Sequence, residues 1–211
     1  MENTTEHLNW RYGVKRYDSA KKVQQEDMDK LQDAIRMAPS SFGLQPFKVL
    51  FIEDAELRAK LSVASFHQPQ VTEASCLIVF AIETNVDEAF VDAYFSNICG
   101  ARGVKLEGSL EKHRDSVVHA ISRKQNEERL AWATHQAYLA LGFLLLAAAE
   151  LKIDANAMEG FMSAQYDEIL GLKQKGLHAV VIAAVGYRHP EDLYQHMVKV
   201  RRPENELFIK I

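Results

Sequence analysis

Residues 137–151 read AYLALGFLLLAAAEL, and Glu150 is the only charged side chain in this stretch. A membrane-spanning helix needs roughly 20 apolar residues, so a stretch of about 15 is too short. A helix that is apolar all round must instead be covered by protein on every side. We therefore predict a helix over about residues 131–151 that lies in the core or in a subunit interface. Small side chains would let a second helix approach it closely: Ala137, Ala140, Gly142, Ala147, Ala148 and Ala149.

Periodic segments on both sides of this helix predict the rest of the fold. Met28, Leu31 and Ile35 recur at the spacing of one helix face, and Pro39 follows where that helix should end. The predicted helices are 25–37, 55–64 with Asp54 as N-cap, 88–106, 110–129 and 164–170. Short runs rich in Val, Ile and Phe predict strands at 47–52, 77–82 and 179–187. This pattern predicts one α+β domain over residues 1–211, with a central sheet wrapped by helices.

Composition excludes several classes of function. The formal net charge is -4, so bulk attraction to nucleic acid or to an anionic membrane is not expected. Two cysteines, Cys76 and Cys99, have no metal-type spacing and do not indicate an oxidising compartment. Cys76 opens an apolar run and is predicted to be a small core residue. The N-terminus MENTTEHLNW is polar and acidic, unlike a signal peptide, so we expect a cytoplasmic protein.

Several catalytic motifs are missing from the sequence. It contains no GxGxxG after a strand, no GxxxxGK[ST], no HExxH and no GxSxG. The eight histidines show no ligand-like pairing, so no metal site is predicted. No side chain is therefore assigned as a catalytic nucleophile or acid. Any chemistry is expected to come from a bound cofactor.

Two basic clusters lie near opposite ends of the chain. RYGVKR at 11–16 and KVRRP at 199–203 each place three cations within a few residues. Arginine can clamp a phosphate in a bidentate manner, and lysine binds it as a point charge. Either cluster alone is typical of a solvated surface. If the two converge in the fold, they form an anion site large enough for a phosphate.

Two further segments suggest a binding site. APSSFGLQPF at 38–47 joins a helix to a strand, and its hydroxyls and carboxamide could read a polar heterocycle. Glu159 and Gly160 follow the apolar helix, and the glycine would let the backbone approach a flat ligand. Each segment alone is also compatible with an ordinary turn.

Taken together, these segments resemble the nitroreductase family. The resemblance extends from about Trp10 to Pro203 and rests on RYGVKRYD, APSSFGLQPF, HQPQVTEAS, MEGF, GLKQKG and KVRRP in that order. It implies a nitroreductase-like fold with a mostly antiparallel sheet. It also implies an intertwined homodimer with FMN bound at the subunit interface.

The resemblance also implies a role for individual residues. Arg11 would hold the FMN phosphate, together with Lys199 and Arg201, and Lys15 would reach the N1–C2=O edge of the ring. The partner subunit would supply Pro39, Ser40 and Ser41. Glu159 and Gly160 would lie along the ring, with a backbone N–H near N5. Where relatives carry Asn and Lys beside the flavin or nucleotide, this chain has His67 and Gln70. The full expected cofactor-binding set is Arg11, Tyr12, Gly13, Lys15, Pro39, Ser40, Ser41, Gly43, His67, Gln70, Glu159, Gly160, Lys199 and Arg201.

The activity implied by the resemblance is NAD(P)H oxidation coupled to reduction of a small molecule. NADH or NADPH would reduce FMN, and nitroaromatics, quinones or pterins would then be reduced in the same slot by a ping-pong scheme. Two alternatives remain open at the level of sequence. One is an FMN-binding protein without reductase activity, serving as a flavin carrier or regulator. The other is a nonenzymatic interaction module built on the apolar helix.

Overall fold

The apolar stretch 137–151 lies almost entirely within one 25-residue helix, Asn126–Glu150, at the centre of a computed structural model that describes residues 3–211. The strands are β1 (Phe47–Ile52), β2 (Cys76–Glu83), β3 (Asp154–Met158) and β4 (Leu177–Gly186). The α-helices are α1 (Thr4–Trp10), α2 (Gln25–Met37), α3 (Ala55–Val63), α4 (Gln70–Glu73), α5 (Glu88–Arg102), α6 (Ser109–Ser122), α7 (Asn126–Glu150), α8 (Ser163–Ile169) and α9 (Glu204–Leu207). Short 3-10 turns cover Ser41–Gly43, Lys173–Lys175 and Leu193–His196.

The four strands form one antiparallel sheet in the order β1-β2-β4-β3. Val79 of β2 lies opposite Ile182 of β4, and Ala157 of β3 lies opposite Ala183. The two central strands are apolar on both faces because helices cover both sides of the sheet. This confirms the prediction of a helix-wrapped, antiparallel α+β fold.

Side chains of β2 alternate between two apolar layers, as the two-residue period of a strand requires. Ile78 and Phe80 point into the layer formed by α2 and α7. Leu77 and Val79 point into the opposite layer, where residues of α3 and α8 pack together with Tyr17. Cys76 is fully buried in the first layer, as predicted.

Helix α7 is a core helix on one side and exposed on the other. Gln125 and Glu128 cap its start reciprocally, which satisfies backbone groups that would otherwise lack partners. By length and composition α7 could cross a membrane, but Leu144 and other buried residues pack against the sheet and α2. On its far side, Leu139 and Phe143 are 46% and 40% exposed.

Helices α5 and α6 pack on each other and form a third apolar cluster outside the sheet layers. Val91 and Phe95 of α5 and Val117 and Ile121 of α6 are its buried members, together with Leu44 and Val86. This helical pair lies beside the 38–47 loop, where Tyr94 of α5 packs directly against Gly43.

Some predicted bounds hold and others are wrong. The bounds of α2 and β1 match the predictions, and the side chain of Asp54 caps α3 by accepting from the N–H of Leu57. The predicted helix 110–129 is wrong. The segment forms two helices, because α6 ends at Ser122 and α7 begins at Asn126. Gly103, in the left-handed conformation with φ 64°, ends α5 at Arg102 instead of at residue 106.

The sequence analysis predicted neither α1 nor β3. Helix α1 precedes the basic cluster at 11–16, and its start is capped by Asn3 and Glu6. Strand β3 has the sequence DANAM, which carries little strand propensity. It forms because its backbone pairs with β4, and because Arg188 neutralises the buried carboxylate of Asp154 with contacts as close as 2.6 Å.

Candidate functional site

The two basic clusters converge on one cavity of about 310 Å³, which we call the basic pocket. They are separated by almost the whole chain, yet both contribute side chains to this pocket. The residues that line it are Arg11, Tyr12, Gly13, Lys15, Tyr194, Lys199, Val200 and Arg201. Six of these eight belong to the expected cofactor-binding set, and Tyr194 and Val200 are additions from the structure.

The first wall of the basic pocket is held by the segment after α1. Tyr17 is fully buried and donates a 2.8 Å hydrogen bond to the carbonyl of Ala184, which fixes this segment to β4. The guanidinium of Arg188 stacks over the ring of Trp10 at 4.3 Å and also binds Asp154. These contacts place the backbone of residues 11–15 at the end of the sheet.

The second wall is formed by the C-terminal segment. The hydroxyl of Tyr12 donates to the carbonyl of Met197 at 2.8 Å. The ammonium of Lys199 donates to the carbonyl of Leu8 at 2.8 Å and lies over the Tyr12 ring at 5.3 Å. The C-terminal segment is thereby tied to α1 and to the first wall, and it brings Arg201 beside Arg11.

The electrostatics of the basic pocket favour an anion. Burial lowers the pKa of Arg11, and the positive charge of Arg201 lowers it further. Burial, followed by Arg11 and Arg201, also lowers the pKa of Lys199. Within residues 3–211, no carboxylate forms an ion pair with Arg11, Lys15, Lys199 or Arg201. Mutual repulsion of cations is relieved by a bound negative charge, so the pocket is suited to a phosphate.

One donor in this pocket has no partner. The Nε atom of Arg11 is buried and makes no hydrogen bond within the described chain, whereas its Nη2 donates weakly to the carbonyl of Ala155 at 3.4 Å. A buried donor without an acceptor costs about 1–3 kcal/mol. An anionic ligand with oxygen acceptors would remove that cost.

The Glu159–Gly160 step is held from two sides. Gln68 donates from Nε2 to the carbonyl of Gly160 at 2.6 Å and to the carbonyl of Ser65 at 3.1 Å. From α7, the hydroxyl of Tyr138 donates to the carboxylate of Glu159 at 2.5 Å. Burial, together with the negative charge of Glu159, raises the pKa of Tyr138 to about 12, so the phenol keeps its proton at neutral pH. The backbone at this step is therefore fixed before any ligand binds.

His67 and Gln70 lie outside the lining of the basic pocket. His67 is exposed and adopts φ 54°, a left-handed conformation that is uncommon for a residue with a side chain. Gln70 begins α4 and is 2% exposed, and its Oε1 atom has no hydrogen-bond partner in the described residues. Their expected role at a flavin or nucleotide stays a prediction.

The serine loop, residues 38–47, lies at a different place in the subunit. Ser40 accepts a 3.0 Å hydrogen bond from the N–H of Gln45, and the N–H of Ser41 donates to the Gln136 side chain of α7 at 2.8 Å. Gly43 adopts φ 77°. Part of the loop lines a cavity of about 560 Å³ between α2, β1 and α5, and Pro39, Ser40, Ser41 and Gly43 do not line the basic pocket.

Sequence reasoning missed three side chains that shape these regions: Gln68, Tyr138 and Tyr194. Tyr138 carries the one hydroxyl group in the apolar stretch 137–151, and a polar group in such a stretch could have been identified from the sequence as a candidate contact. Gln68 lies inside the quoted HQPQ segment, but its partner is 92 residues away. Nothing in the local sequence marks Tyr194.

The sequence comparisons identify the family of this chain. The sequence profile of the nitroreductase family matches residues 8–187. The chain belongs to the nitroreductase family. It is 32% identical over 209 residues to the major NAD(P)H-flavin oxidoreductase of Aliivibrio fischeri, covering 97% of this chain and 96% of that protein. It is 29% identical over 203 residues to the oxygen-insensitive NAD(P)H nitroreductase of Enterobacter cloacae, covering 92% of each.

Solved structures show that the fold is shared by distant nitroreductase family members. A nitroreductase family protein from Streptococcus pneumoniae superimposes with a TM-score of 0.82 at 21% identity, covering 99% of this chain and 100% of that chain. An Exiguobacterium sibiricum protein of the same fold, solved in complex with FMN, has a TM-score of 0.84 at 20% identity, covering 100% of this chain and 98% of that chain. The nitroreductase-like fold expected from the sequence is therefore confirmed.

Proposed function

We propose that this nitroreductase family member is an FMN-dependent NAD(P)H oxidoreductase that reduces nitroaromatic, quinone or related acceptors in the cytoplasm. The observation that carries the proposal is the basic pocket. Arg11 and Lys15 from one end of the chain meet Lys199 and Arg201 from the other, with no carboxylate of residues 3–211 paired to them. The names of the relatives and the FMN complex of a structural neighbour support the choice of cofactor.

The residues of the basic pocket fit the FMN phosphate. The unpartnered Nε of Arg11 and the exposed guanidinium of Arg201 provide charged donors, and oxygens of a phosphate accept such donors at short distance. Lys199 is held at the rim by carbonyls of α1, so its charge is fixed in place. These three side chains would hold the phosphate.

The remaining residues fit a flat ring system. Gly160 leaves room for the side chain of Gln68, which donates to the Gly160 carbonyl at 2.6 Å and holds this backbone in one place. Lys15 lies over the ring of Tyr194 at 5.8 Å and would favour negative charge on a ring edge nearby. When bound, FMN supplies the hydride chemistry. The protein's own task is to orient donor and acceptor in one slot, which is the basis of the proposed ping-pong scheme.

The placement of the serine loop favours a homodimer with shared sites. Ser40 and Ser41 do not line the basic pocket of their own subunit, so a cofactor that meets both regions needs the loop of a partner. Leu139 and Phe143 on the outer side of α7 flank Gly142, which leaves room for a second helix. We propose that this surface forms the dimer interface, burying more than about 2,000 Å² in total, as obligate interfaces do.

The visible spectrum of the purified protein, followed by an activity assay, tests the proposal. We expect a yellow protein with flavin absorbance, and oxidation of NADH or NADPH that accelerates when a nitroaromatic or quinone is added. Parallel double-reciprocal plots at several acceptor concentrations would support the ping-pong scheme. A protein that shows no flavin absorbance after incubation with FMN and removal of unbound flavin contradicts the proposal. Bound FMN without NAD(P)H oxidation would identify a flavin carrier or regulator instead.

A further inference from the structure

The serine loop, residues 38–47, has a strained backbone. Phe42, Gly43 and Gln45 all adopt positive φ values, of 58°, 77° and 44°. This left-handed conformation is unfavourable for residues that carry a side chain, and it is rare for one as bulky as phenylalanine. Strained segments persist only where surrounding contacts determine them, and they concentrate at functional sites.

Gln136 of α7 supplies a contact that holds this loop. It is 5% exposed, and its Oε1 atom accepts a 2.8 Å hydrogen bond from the backbone N–H of Ser41. Its Nε2 atom donates to the carbonyl of Trp132, about one helical turn earlier, at 2.9 Å. Both ends of the amide are therefore bonded, and its oxygen is directed at Ser41. Buried polar groups that are fully bonded make the structure around them rigid.

Helix α7 holds the serine loop and the Glu159–Gly160 step on different sides. Gln136 binds the loop, whereas Tyr138, two positions later, binds Glu159. Side chains two positions apart on an α-helix leave it in directions about 200° apart, so they do not share a face. Ser41 also does not line the basic pocket of its own subunit. The loop is thus fixed away from the flavin site that its own subunit builds.

We propose that Gln136 is a positioning residue for the flavin site of the partner subunit and acts through the serine loop that it holds. This inference rests on the proposed function, because it takes FMN as the ligand and a homodimer with shared sites as the assembly. It makes α7 a common support for both sites. Tyr138 holds the backbone expected at the flavin of its own subunit, and Gln136 holds the loop expected at the flavin of the partner.

Hydrogen exchange in the apo-protein tests whether Gln136 holds the loop. Gln136→Met removes the acceptor at nearly constant shape, and Gln174→Met, at an exposed position, is the matched control. Without this hydrogen bond the loop should open more often, so amides of residues 41–45 should exchange about three- to tenfold faster in Gln136→Met. Gln174→Met should exchange like wild type. Equal exchange of these amides in wild type and Gln136→Met overturns the inference.

Mixed dimers test whether the loop serves the partner. Subunits with Arg11→Ala and subunits with Gln136→Met are co-expressed with different affinity tags. Dimers that carry both tags are purified, and their apo-form is titrated with FMN. If the loop acts on the partner's site, one site of the mixed dimer combines the intact Arg11 of the Gln136→Met subunit with the intact loop of the other subunit. The second site carries both defects.

We expect half of the sites in the mixed dimer to bind FMN with wild-type affinity, although neither homodimeric variant does. The Gln136→Met homodimer should bind FMN about three- to tenfold more weakly than wild type, because fewer molecules have the loop in place.

Three results overturn the inference. One is an FMN affinity of the Gln136→Met homodimer within twofold of wild type. Another is a mixed dimer without any site of wild-type affinity, since the loop would then serve its own subunit or the substitution would disturb that subunit as a whole. The third is a holo-protein that is monomeric. A wild-type protein that binds no FMN is a separate result, which overturns the proposed function and this inference with it.

Discussion

The side chain of Gln68 donates a 2.6 Å hydrogen bond to the carbonyl oxygen of Gly160 and so joins the turn after α3 to the segment after β3. A Cβ atom on Gly160 would be 3.0 Å from the same Nε2 atom, so the two residues are in close contact. Gln68 also donates to Ser65, which holds its amide in one orientation. The backbone expected to face the flavin is thus fixed by a residue far away in sequence.

Gln68→Glu should loosen this segment. The substituted side chain has nearly the same size but turns both donations into repulsive contacts between acceptors. Loss of two partly exposed hydrogen bonds should lower the free energy of unfolding by about 1–2 kcal/mol. Amide hydrogen exchange should accelerate at residues 159–161. Gln174→Glu, at an exposed position, is the control, and equal exchange rates in the two variants would show that Gln68 does not hold the segment.

Gly43 should not tolerate a side chain. Its φ of 77° costs an L-residue about 1–2 kcal/mol, and a Cβ atom would overlap the hydroxyl of Tyr94. Gly43→Ala should therefore be destabilised by more than the backbone term alone. Combining it with Tyr94→Ala should recover the part due to the overlap and leave the backbone term. Strict additivity of the two changes in a double-mutant cycle would show that the overlap is absent.

The two cysteines should differ sharply in reactivity. Cys76 is fully buried, and burial raises the pKa of its thiol to about 12, so almost no thiolate forms at pH 7. Cys99 is half-buried on α5. We expect one thiol per folded chain to react with a disulfide reagent at pH 8, and two after unfolding in denaturant. Cys99→Ser should show no reactive thiol in the folded protein, and rapid labelling of that variant would contradict the buried position of Cys76.

Stability should fall at alkaline pH because burial raises the pKa values of Tyr17, Tyr138 and Tyr166 in the folded state. Burial raises the pKa of Tyr138 and of Tyr166 to about 12, compared with an ordinary value of about 10. Between these values the folded state keeps protons that the unfolded state releases. The contribution of Tyr138 and Tyr166 to the free energy of unfolding is therefore complete below pH 10 and is lost as the pH rises from 10 to 12. Tyr138→Phe should make this loss less steep in urea unfolding at several pH values. An unchanged slope would show that the Tyr138 phenol ionises equally in both states.

The sequence predicts the sheet layers well because the signal there is local. The alternation in β2 and the helical spacing of Met28, Leu31 and Ile35 each follow from burial of one face. Strand β3 could not be predicted, since DANAM becomes a strand only through pairing with β4 and through the ion pair of Asp154 with Arg188. The interruption at residues 123–125 is also unmarked, because Arg123, Lys124 and Gln125 are themselves good helix formers.

For the site, residue types were predictable and contacts were not. The two basic clusters are visible in the sequence, but their convergence depends on the sheet and on contacts such as Tyr12 with Met197.

The central claim is that cations from both ends of the chain hold the FMN phosphate in the basic pocket. Titration of apo-protein with FMN, for wild type, Arg11→Ala and Arg201→Ala, tests it most directly. Each variant loses one charge-assisted contact of about 1.5–3 kcal/mol. The dissociation constant of FMN should therefore increase by a factor between roughly ten and somewhat over a hundred. Arg102→Ala, on the exposed end of α5, should bind FMN like wild type. Unchanged FMN affinity in both Arg11→Ala and Arg201→Ala would contradict the account.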